Sequence, residues 1–251
     1  MVLIVSSVVV VAYLALCAVL FATQRSFIYF PTKPVPGRRL PGITLSVDGA
    51  DLRITTRVHA GVNAVIYFGG NGEDVSDSLP TLEAAFPDHA LYLMNYRGYG
   101  ESSGTPSETA LVADSLILFD KVHGEHDSVV VIGRSLGSGI AIHLASCRPV
   151  ARLVLVTPYN SIEELAARQF PYLPITLLLR DKFESWRYAG AISAPTLVIA
   201  AELDDVIPLN STESLFSRLN PAIASIAVVR EAGHNSVSQH PDYVRLLSGA
   251  K

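Results

Sequence analysis

The chain has 251 residues, a formal net charge of −4 and only 17% charged residues. This length allows one α/β domain or two small ones with a substantial buried core, and the sparse, slightly negative charge argues against a surface that binds nucleic acid. Two cysteines, Cys17 and Cys147, lie far apart in apolar surroundings. We therefore expect neither a disulfide framework nor a cysteine metal site.

The first predicted element is an uncharged apolar segment at residues 2–22. As a helix it would be about 30 Å long, which matches the hydrocarbon core of a bilayer. A secretory signal peptide would need a basic start and a small-x-small cleavage site, and neither is clear here. A core helix of a soluble protein would not be apolar on every side. We predict a retained transmembrane anchor at residues 1–23.

A connector rich in proline and arginine follows at residues 24–42, with aromatic side chains close to the expected membrane interface. Its basic residues are Arg25, Lys33, Arg38 and Arg39. Basic residues flank membrane spans on the cytoplasmic side, so the rest of the chain is expected to face the cytoplasm.

Residues 43–251 are predicted to form one domain in which strands and helices alternate. A hairpin joins strands at 43–47 and 52–59 through Asp48-Gly49. Further strands are expected at 64–68, 90–95, 129–132, 153–156, 196–200 and 223–229. Helices are expected at 74–86, 108–123, 140–146, 211–219 and from residue 237. This alternation predicts a mostly parallel sheet with helices on both faces.

The sequence Gly133-Arg-Ser-Leu-Gly137 joins a run of β-branched residues to a segment with helical composition. A serine between a strand and a helix, with glycine two residues on either side, is typical of a nucleophile elbow. The glycines allow strand and helix to pass close to a strained turn. The pattern also occurs by chance in glycine-rich turns, so Ser135 needs partners elsewhere in the chain.

A serine nucleophile requires a base that accepts its proton and an acid that orients the base. Asp204 follows the penultimate predicted strand, and His234 follows the last one directly after a glycine. The order Ser135, Asp204, His234 is the order in which acid and base follow a nucleophile elbow in this kind of sheet. Asp205 and Glu202 remain alternatives for the acid. The six other histidines do not follow the last strand: His59, His89, His123, His126, His143 and His240.

The loop after the strand at 64–68 reads Gly69-Gly-Asn-Gly-Glu73. The backbone amides of Asn71 and Leu136 would together form an oxyanion hole beside Ser135. A phosphate-binding loop is the alternative, but neither its Lys-Ser/Thr pair nor its glycine spacing is present. His123 and His126 are expected to be solvated surface rather than metal ligands, and no metal or organic cofactor is expected.

With these residues identified, the sequence from about residue 43 onward resembles the α/β-hydrolase family. Asn95-Tyr-Arg-Gly-Tyr-Gly-Glu-Ser, Asp204-Asp-Val-Ile-Pro and Gly233-His-Asn are similar to motifs of that family. Gln24-Arg-Ser-Phe-Ile-Tyr-Phe-Pro resembles the connector of its small membrane-anchored serine hydrolases, which include eukaryotic protein depalmitoylases. The resemblance implies that Ser135, Asp204 and His234 are nucleophile, acid and base. Gly69-Gly70 stands where the family usually has His-Gly, and Asn95 where aspartate is common.

Residues 158–192 are expected to form a short lid, and the apolar run at 166–179 is either a covering helix or one wall of an acyl groove. The expected activity is hydrolysis of an ester or thioester with an apolar acyl part. Its substrate would be a small molecule, a lipid or a lipidated protein. A peptidase or amidase with the same triad is an alternative, and a membrane-tethered binding protein with an inactive site is another.

Overall fold

The computed structural model describes residues 2–37 and 40–249. Within these residues eight strands form one sheet in the order β1-β2-β4-β3-β5-β6-β7-β8. The strands are β1 (Gly42–Val47), β2 (Ala50–Arg57), β3 (Asn63–Phe68), β4 (Ala90–Met94), β5 (Ser128–Arg134), β6 (Arg152–Val156), β7 (Thr196–Ala201) and β8 (Ala224–Val229). β2 pairs antiparallel with β1 and β4, and the other pairs are parallel. The predicted, mostly parallel sheet is confirmed.

Helices cover both faces of the sheet, as predicted. The helices are α1 (Val2–Thr23), α2 (Arg25–Ile28), α3 (Leu79–Ala85), α4 (Glu108–His123), α5 (Leu136–Cys147), α6 (Ile162–Gln169), α7 (Ile175–Leu178), α8 (Trp186–Ala189), α9 (Leu209–Phe216) and α10 (Tyr243–Ser248). Side chains alternate along β3, so Ile66 joins the core under α4 and α5, whereas Val65 joins the core under α3 and α10.

Four of the five predicted helices differ from the structure in their bounds. α5 begins four residues earlier than expected, and the helix expected from residue 237 is a 3₁₀ turn at Val237–Gln239 followed by α10. The helix expected at 74–86 is divided into a 3₁₀ turn at Val75–Ser78 and α3. The Asp74 carboxylate caps the 3₁₀ turn at the amide of Ser76, and Pro80 lies in the first turn of α3, where its missing N–H costs nothing. The helix expected at 211–219 begins earlier, directly after Pro208, and ends at Phe216.

The N-terminal segment is one continuous helix. Among the described residues, Ile4–Thr23 is a stretch long and apolar enough to cross a membrane, and almost all of it is exposed. The connector is not entirely irregular, because α2 follows α1 after a single residue, Gln24. Arg38 and Arg39, on which the predicted orientation partly depends, lie outside the described residues.

The topology brings the loops that contain the predicted site residues to one edge of the sheet. Parallel strands have their carboxyl ends at the same edge, and β3, β5, β6, β7 and β8 are consecutive neighbours. The segments after β3, β5, β7 and β8 contain Asn71, Ser135, Asp204 and His234 respectively. All the residues predicted for the site therefore follow the carboxyl ends of neighbouring strands.

Candidate active site

Ser135 occupies a strained turn between β5 and α5. Its φ of 49° and ψ of −117° lie outside the regions that side chains other than glycine commonly adopt. A Cβ on Gly137 would overlap the carbonyl oxygen of Phe68, and a Cβ on Gly133 would overlap Gly137 and Ala141. Glycine is required at both positions because strand and helix pass at backbone contact distance. This is the geometry expected of a nucleophile elbow.

His234 lies between Ser135 and Asp204 and is within hydrogen-bonding distance of both. His234 Nε2 is 2.9 Å from Ser135 Oγ, and His234 Nδ1 is 2.8 Å from Asp204 Oδ2. A carboxylate only accepts hydrogen bonds, so Nδ1 carries the proton and Nε2 of the neutral ring accepts from the serine hydroxyl. The structure therefore brings together the three side chains predicted for nucleophile, base and acid.

Asp204 is itself held in place by backbone donors. Its Oδ1 accepts hydrogen bonds from the amides of Val206 at 2.9 Å and Ile207 at 2.7 Å. The two alternative acids do not take this position, because Asp205 is exposed and Glu202 accepts from the amide of Glu231. Among the three candidates, Asp204 is the one that contacts the histidine.

The expected oxyanion donors lie beside the serine. Leu136 is the first residue of α5, whose amide has no partner inside the helix, and Asn71 and Leu136 both line the same cavity as Ser135. The neighbouring amide of Gly70 donates to Glu73 Oε2 at 2.7 Å and is therefore occupied. The amide of Asn71 stays the predicted donor from this loop.

The prediction for His126 was wrong in one respect. His123 is exposed, but His126 is buried, with Nε2 3.0 Å from the Tyr92 hydroxyl and Nδ1 2.8 Å from the Gly61 carbonyl. These two bonds explain why a histidine is buried there. In the described parts of the chain, no group of three or more His, Cys, Asp or Glu side chains could hold a metal ion.

Comparison with known proteins identifies the family. The model of the alpha/beta hydrolase fold matches residues 63–183. Uncharacterized protein Rv2307c of Mycobacterium tuberculosis is 34% identical over 248 residues, covering 91% of this chain and 87% of that protein. The chain belongs to the α/β-hydrolase family.

Two further proteins are similar to this α/β hydrolase. Lysophosphatidylserine lipase ABHD12 of Macaca fascicularis is 31% identical over 182 residues, covering 63% of this chain and 46% of that protein. The matched part is therefore about half of the lipase. The Pyrococcus furiosus esterase Pf2001 superposes with a TM-score of 0.69 at 16% identity, covering 88% of this chain and 96% of the esterase. At this identity the superposition shows a shared fold.

A part-buried ion pair connects the elbow of this hydrolase to the loop after β3. Arg134, next to the serine, places Nη1 2.9 Å from Glu73 Oε2, and Glu73 Oε1 accepts from the hydroxyls of Tyr67 and Ser78. Burial raises the pKa of the Tyr67 phenol well above its usual range, and the Glu73 carboxylate raises it further, so Tyr67 stays a neutral donor. Arg134 and Glu73 were not predicted as site residues, and their separation of 61 positions gave no local signal.

The side chain of Asn71 ties the oxyanion loop to the N-terminal connector. Its Oδ1 accepts from the Phe30 amide at 2.9 Å and from the Tyr99 hydroxyl at 2.7 Å, and its Nδ2 donates to the Ile28 carbonyl at 2.7 Å. Burial raises the pKa of Tyr99 to about 12, which keeps this phenol protonated as a donor. The connector therefore holds in place the residue that is predicted to supply the second oxyanion donor.

The same connector is also fixed to the segment that follows α7. Arg25 Nε lies 2.9 Å from Asp181 Oδ2, and the Tyr29 hydroxyl donates to the same carboxylate at 3.1 Å. The Gln24 amide group donates to the Leu178 carbonyl and accepts from the Arg180 amide. These contacts were not predicted, although the three residues that make them, Gln24, Arg25 and Tyr29, belong to the connector motif that the sequence analysis identified.

An apolar cavity of about 520 Å³ extends from Ser135 to the end of α1. We refer to α6, α7 and the loop at 170–174 between them as the cap. Cap side chains, the end of α1 and α2 together line the cavity, including Leu20, Phe27, Ile162, Leu165, Phe170 and Leu173. The run at 166–179 is not one covering helix: it comprises part of α6, the loop and α7, and residues from all three line the cavity. That the cavity holds an acyl chain stays a prediction.

Proposed function

We propose that the chain is a serine hydrolase that cleaves carboxylic esters or thioesters through an acyl-enzyme. The observation that carries this proposal is the hydrogen-bonded series of Ser135, His234 and Asp204 at the mouth of an apolar cavity. The stability of the fold requires neither a serine in a strained backbone conformation nor a buried histidine that links this serine to a carboxylate. The names of the lipase and the esterase among its relatives agree with such a reaction.

In the proposed mechanism, Ser135 Oγ attacks the carbonyl carbon while His234 Nε2 takes the hydroxyl proton. Asp204 stabilises the imidazolium, and the amides of Asn71 and Leu136 donate to the developing oxyanion. When the tetrahedral intermediate collapses, His234 returns the proton to the leaving oxygen or sulfur. Water, deprotonated by His234, then attacks the acyl-enzyme carbonyl, and collapse of the second intermediate releases the acid and regenerates Ser135.

The proposed substrate carries an apolar acyl chain. The cavity volume lies within the range of sites for small organic ligands, and its lining is almost entirely aliphatic and aromatic. The part of α1 that lines the cavity belongs to the apolar N-terminal stretch. An amphiphile held in a membrane, such as a lipid or a lipidated protein, fits both features. We propose that α1 anchors the protein, with Arg25 and Lys33 on the cytoplasmic side.

A fluorophosphonate probe tests the proposal directly. Membranes that contain the wild type should be labelled, and Ser135→Ala should not be labelled although it is folded. Purified wild type should then hydrolyse p-nitrophenyl esters, with kcat/KM rising as the acyl chain lengthens from acetyl to palmitoyl. A folded wild type that is neither labelled nor active would refute the enzyme. Exclusive use of short acyl chains would refute the proposed substrate class.

A further inference from the structure

One face of α1 packs against the cap along half of the helix. The Tyr13 hydroxyl donates to the backbone carbonyl of Tyr172 at 2.9 Å, Cys17 is buried, Leu20 lines the cavity and Gln24 bonds to the end of α7. Spacings of four, three and four residues place these side chains on one helical face. The contact from Tyr13 to Gln24 covers about 16 Å of helix.

α1 is just long enough to span a bilayer only if the part that contacts the cap is included in the span. Its 22 residues give a length of about 33 Å, against about 30 Å for a hydrocarbon core. If the half that contacts the cap lay in water, residues 2–12 would remain, and these reach only about 16 Å. A membrane-spanning α1 therefore carries the contacted part of the cap into the hydrocarbon layer.

Charged groups mark where this apolar zone ends. The Arg180 guanidinium lies 3.9 Å from the ring centroid of Phe21, and Arg25 pairs with Asp181 next to it. Arginine and aromatic side chains together are typical of the membrane interface. This boundary lies at the last turn of α1, so Tyr13 lies deep on the apolar side of it.

The exposed cap residues are apolar where the cap would meet lipid. Tyr172 is 89% exposed, Leu177 82% and Phe170 50%. Arg168, the charged residue nearest to the loop in sequence, is exposed but bonds to Asn210 and lies within 3.8 Å of Glu164. Large exposed apolar side chains grouped on one segment indicate an interaction surface.

The bond between Tyr13 and Tyr172 also suits an apolar environment. A loop carbonyl that enters hydrocarbon loses its water and costs several kcal/mol unless a protein group satisfies it. The Tyr13 hydroxyl, among the most polar groups of α1, supplies that partner, and the carbonyl satisfies the hydroxyl in return. Neither group needs water at this depth.

We propose that the cap loop at 170–174 is embedded in the lipid leaflet that surrounds α1, and that the cavity receives acyl chains from this leaflet. Phe170 and Leu173 belong to both the loop and the cavity lining, so an acyl chain reaches the cavity without leaving an apolar environment. The inference rests on the membrane anchor of the proposed function, and it adds the depth of the cap and the route of the substrate.

Tryptophan fluorescence in the full-length protein measures that depth. Trp186 is the only tryptophan of the chain, so Trp186→Phe provides a silent background. Tyr172→Trp and Leu177→Trp each introduce a probe at the cap. Val58→Trp is the matched control, because Val58 is 88% exposed and follows β2 at the opposite edge of the sheet. Each variant is reconstituted into phosphatidylcholine vesicles, with either normal or mid-chain brominated acyl groups.

The cap probes should emit at short wavelength and lose their emission in brominated vesicles, whereas the Val58→Trp emission should stay unchanged. Emission from both cap probes at the wavelength of tryptophan in water, without quenching, would overturn the inference. So would failure of the protein to float with the vesicles. The assay needs no turnover, so quenching in a protein that the fluorophosphonate probe never labels would support the embedded cap and refute only the hydrolase.

Discussion

Asp204→Asn is expected to abolish most of the activity, because it reverses the direction of the hydrogen bond between residue 204 and His234. In the wild type, Oδ1 of Asp204 accepts from the amides of Val206 and Ile207, while Oδ2 faces His234 Nδ1. The oxygen of an asparagine side chain must take the Oδ1 position, because both amides are donors. Its NH₂ group then lies at the Oδ2 position, 2.8 Å from Nδ1.

Two donors cannot face each other at that distance, and Oδ1, which lies 3.1 Å from Nδ1, already accepts from two amides. The tautomer of His234 with its proton on Nε2 is therefore favoured. That nitrogen would donate to Ser135 rather than accept its proton. An enforced wrong tautomer of this kind lowers kcat by about 10⁴-fold, which corresponds to about 5.5 kcal/mol in the activation free energy. The assay is kcat for p-nitrophenyl ester hydrolysis, together with the rate of fluorophosphonate labelling.

Asp205→Asn is the matched control, since it makes the same chemical change at the next, exposed position and should keep the wild-type kcat. Thermal unfolding of both variants verifies that each is folded. If folded Asp204→Asn works at the wild-type rate, or if Asp205→Asn is the silent variant, the assignment of the acid is wrong.

The remaining predictions concern packing, the part-buried ion pair and the groove. Gly137→Ala should lower the unfolding temperature and the yield of folded protein, because its Cβ overlaps the Phe68 carbonyl; unchanged unfolding would contradict the close packing of the elbow. Glu73→Gln leaves the guanidinium of a part-buried pair without its carboxylate and should reduce the free energy of unfolding by about 2 kcal/mol in denaturant titrations. Ala166→Trp should raise KM for palmitoyl but not acetyl esters, because it fills the cavity, whereas Ala167→Trp, at an exposed position that does not line the cavity, should change neither.

The sheet and the three predicted triad positions could be read from the sequence because local patterns carry them. Runs of β-branched residues predict the buried parallel strands. The glycines at 133 and 137 indicate a turn in which neither position has room for a Cβ. The positions of Asp204 and His234 follow from the rule that functional sites of α/β proteins lie at the carboxyl ends of parallel strands. Their hydrogen bonds in the structure agree with that expectation, and the catalytic roles stay predictions.

The rest of the site depends on long-range contacts that no local pattern contains. Arg134 and Glu73 pair across 61 positions, and Arg25 and Asp181 across 156. The cap consists of two short helices because of its prolines and because it packs against α1. The hydrophobic periodicity of the sequence contains neither piece of information. The connector was interpreted by its composition, although Gln24, Arg25 and Tyr29 each have a specific partner in the fold.

The hydrogen bonds from the connector to Asn71 bear on how a soluble form of this protein should be made. Removal of the first 23 residues takes away the apolar helix but retains the partners of Asn71 and Asp181. Removal up to β1 also deletes Ile28 and Phe30, and leaves the loop after β3 without the backbone groups that hold it. A shorter fragment of this second kind can retain every residue of the triad and still lack a fixed oxyanion donor. A soluble fragment with a fixed Asn71 loop must therefore retain the connector from Gln24 onward, although it loses the part of the cavity wall that Leu20 supplies.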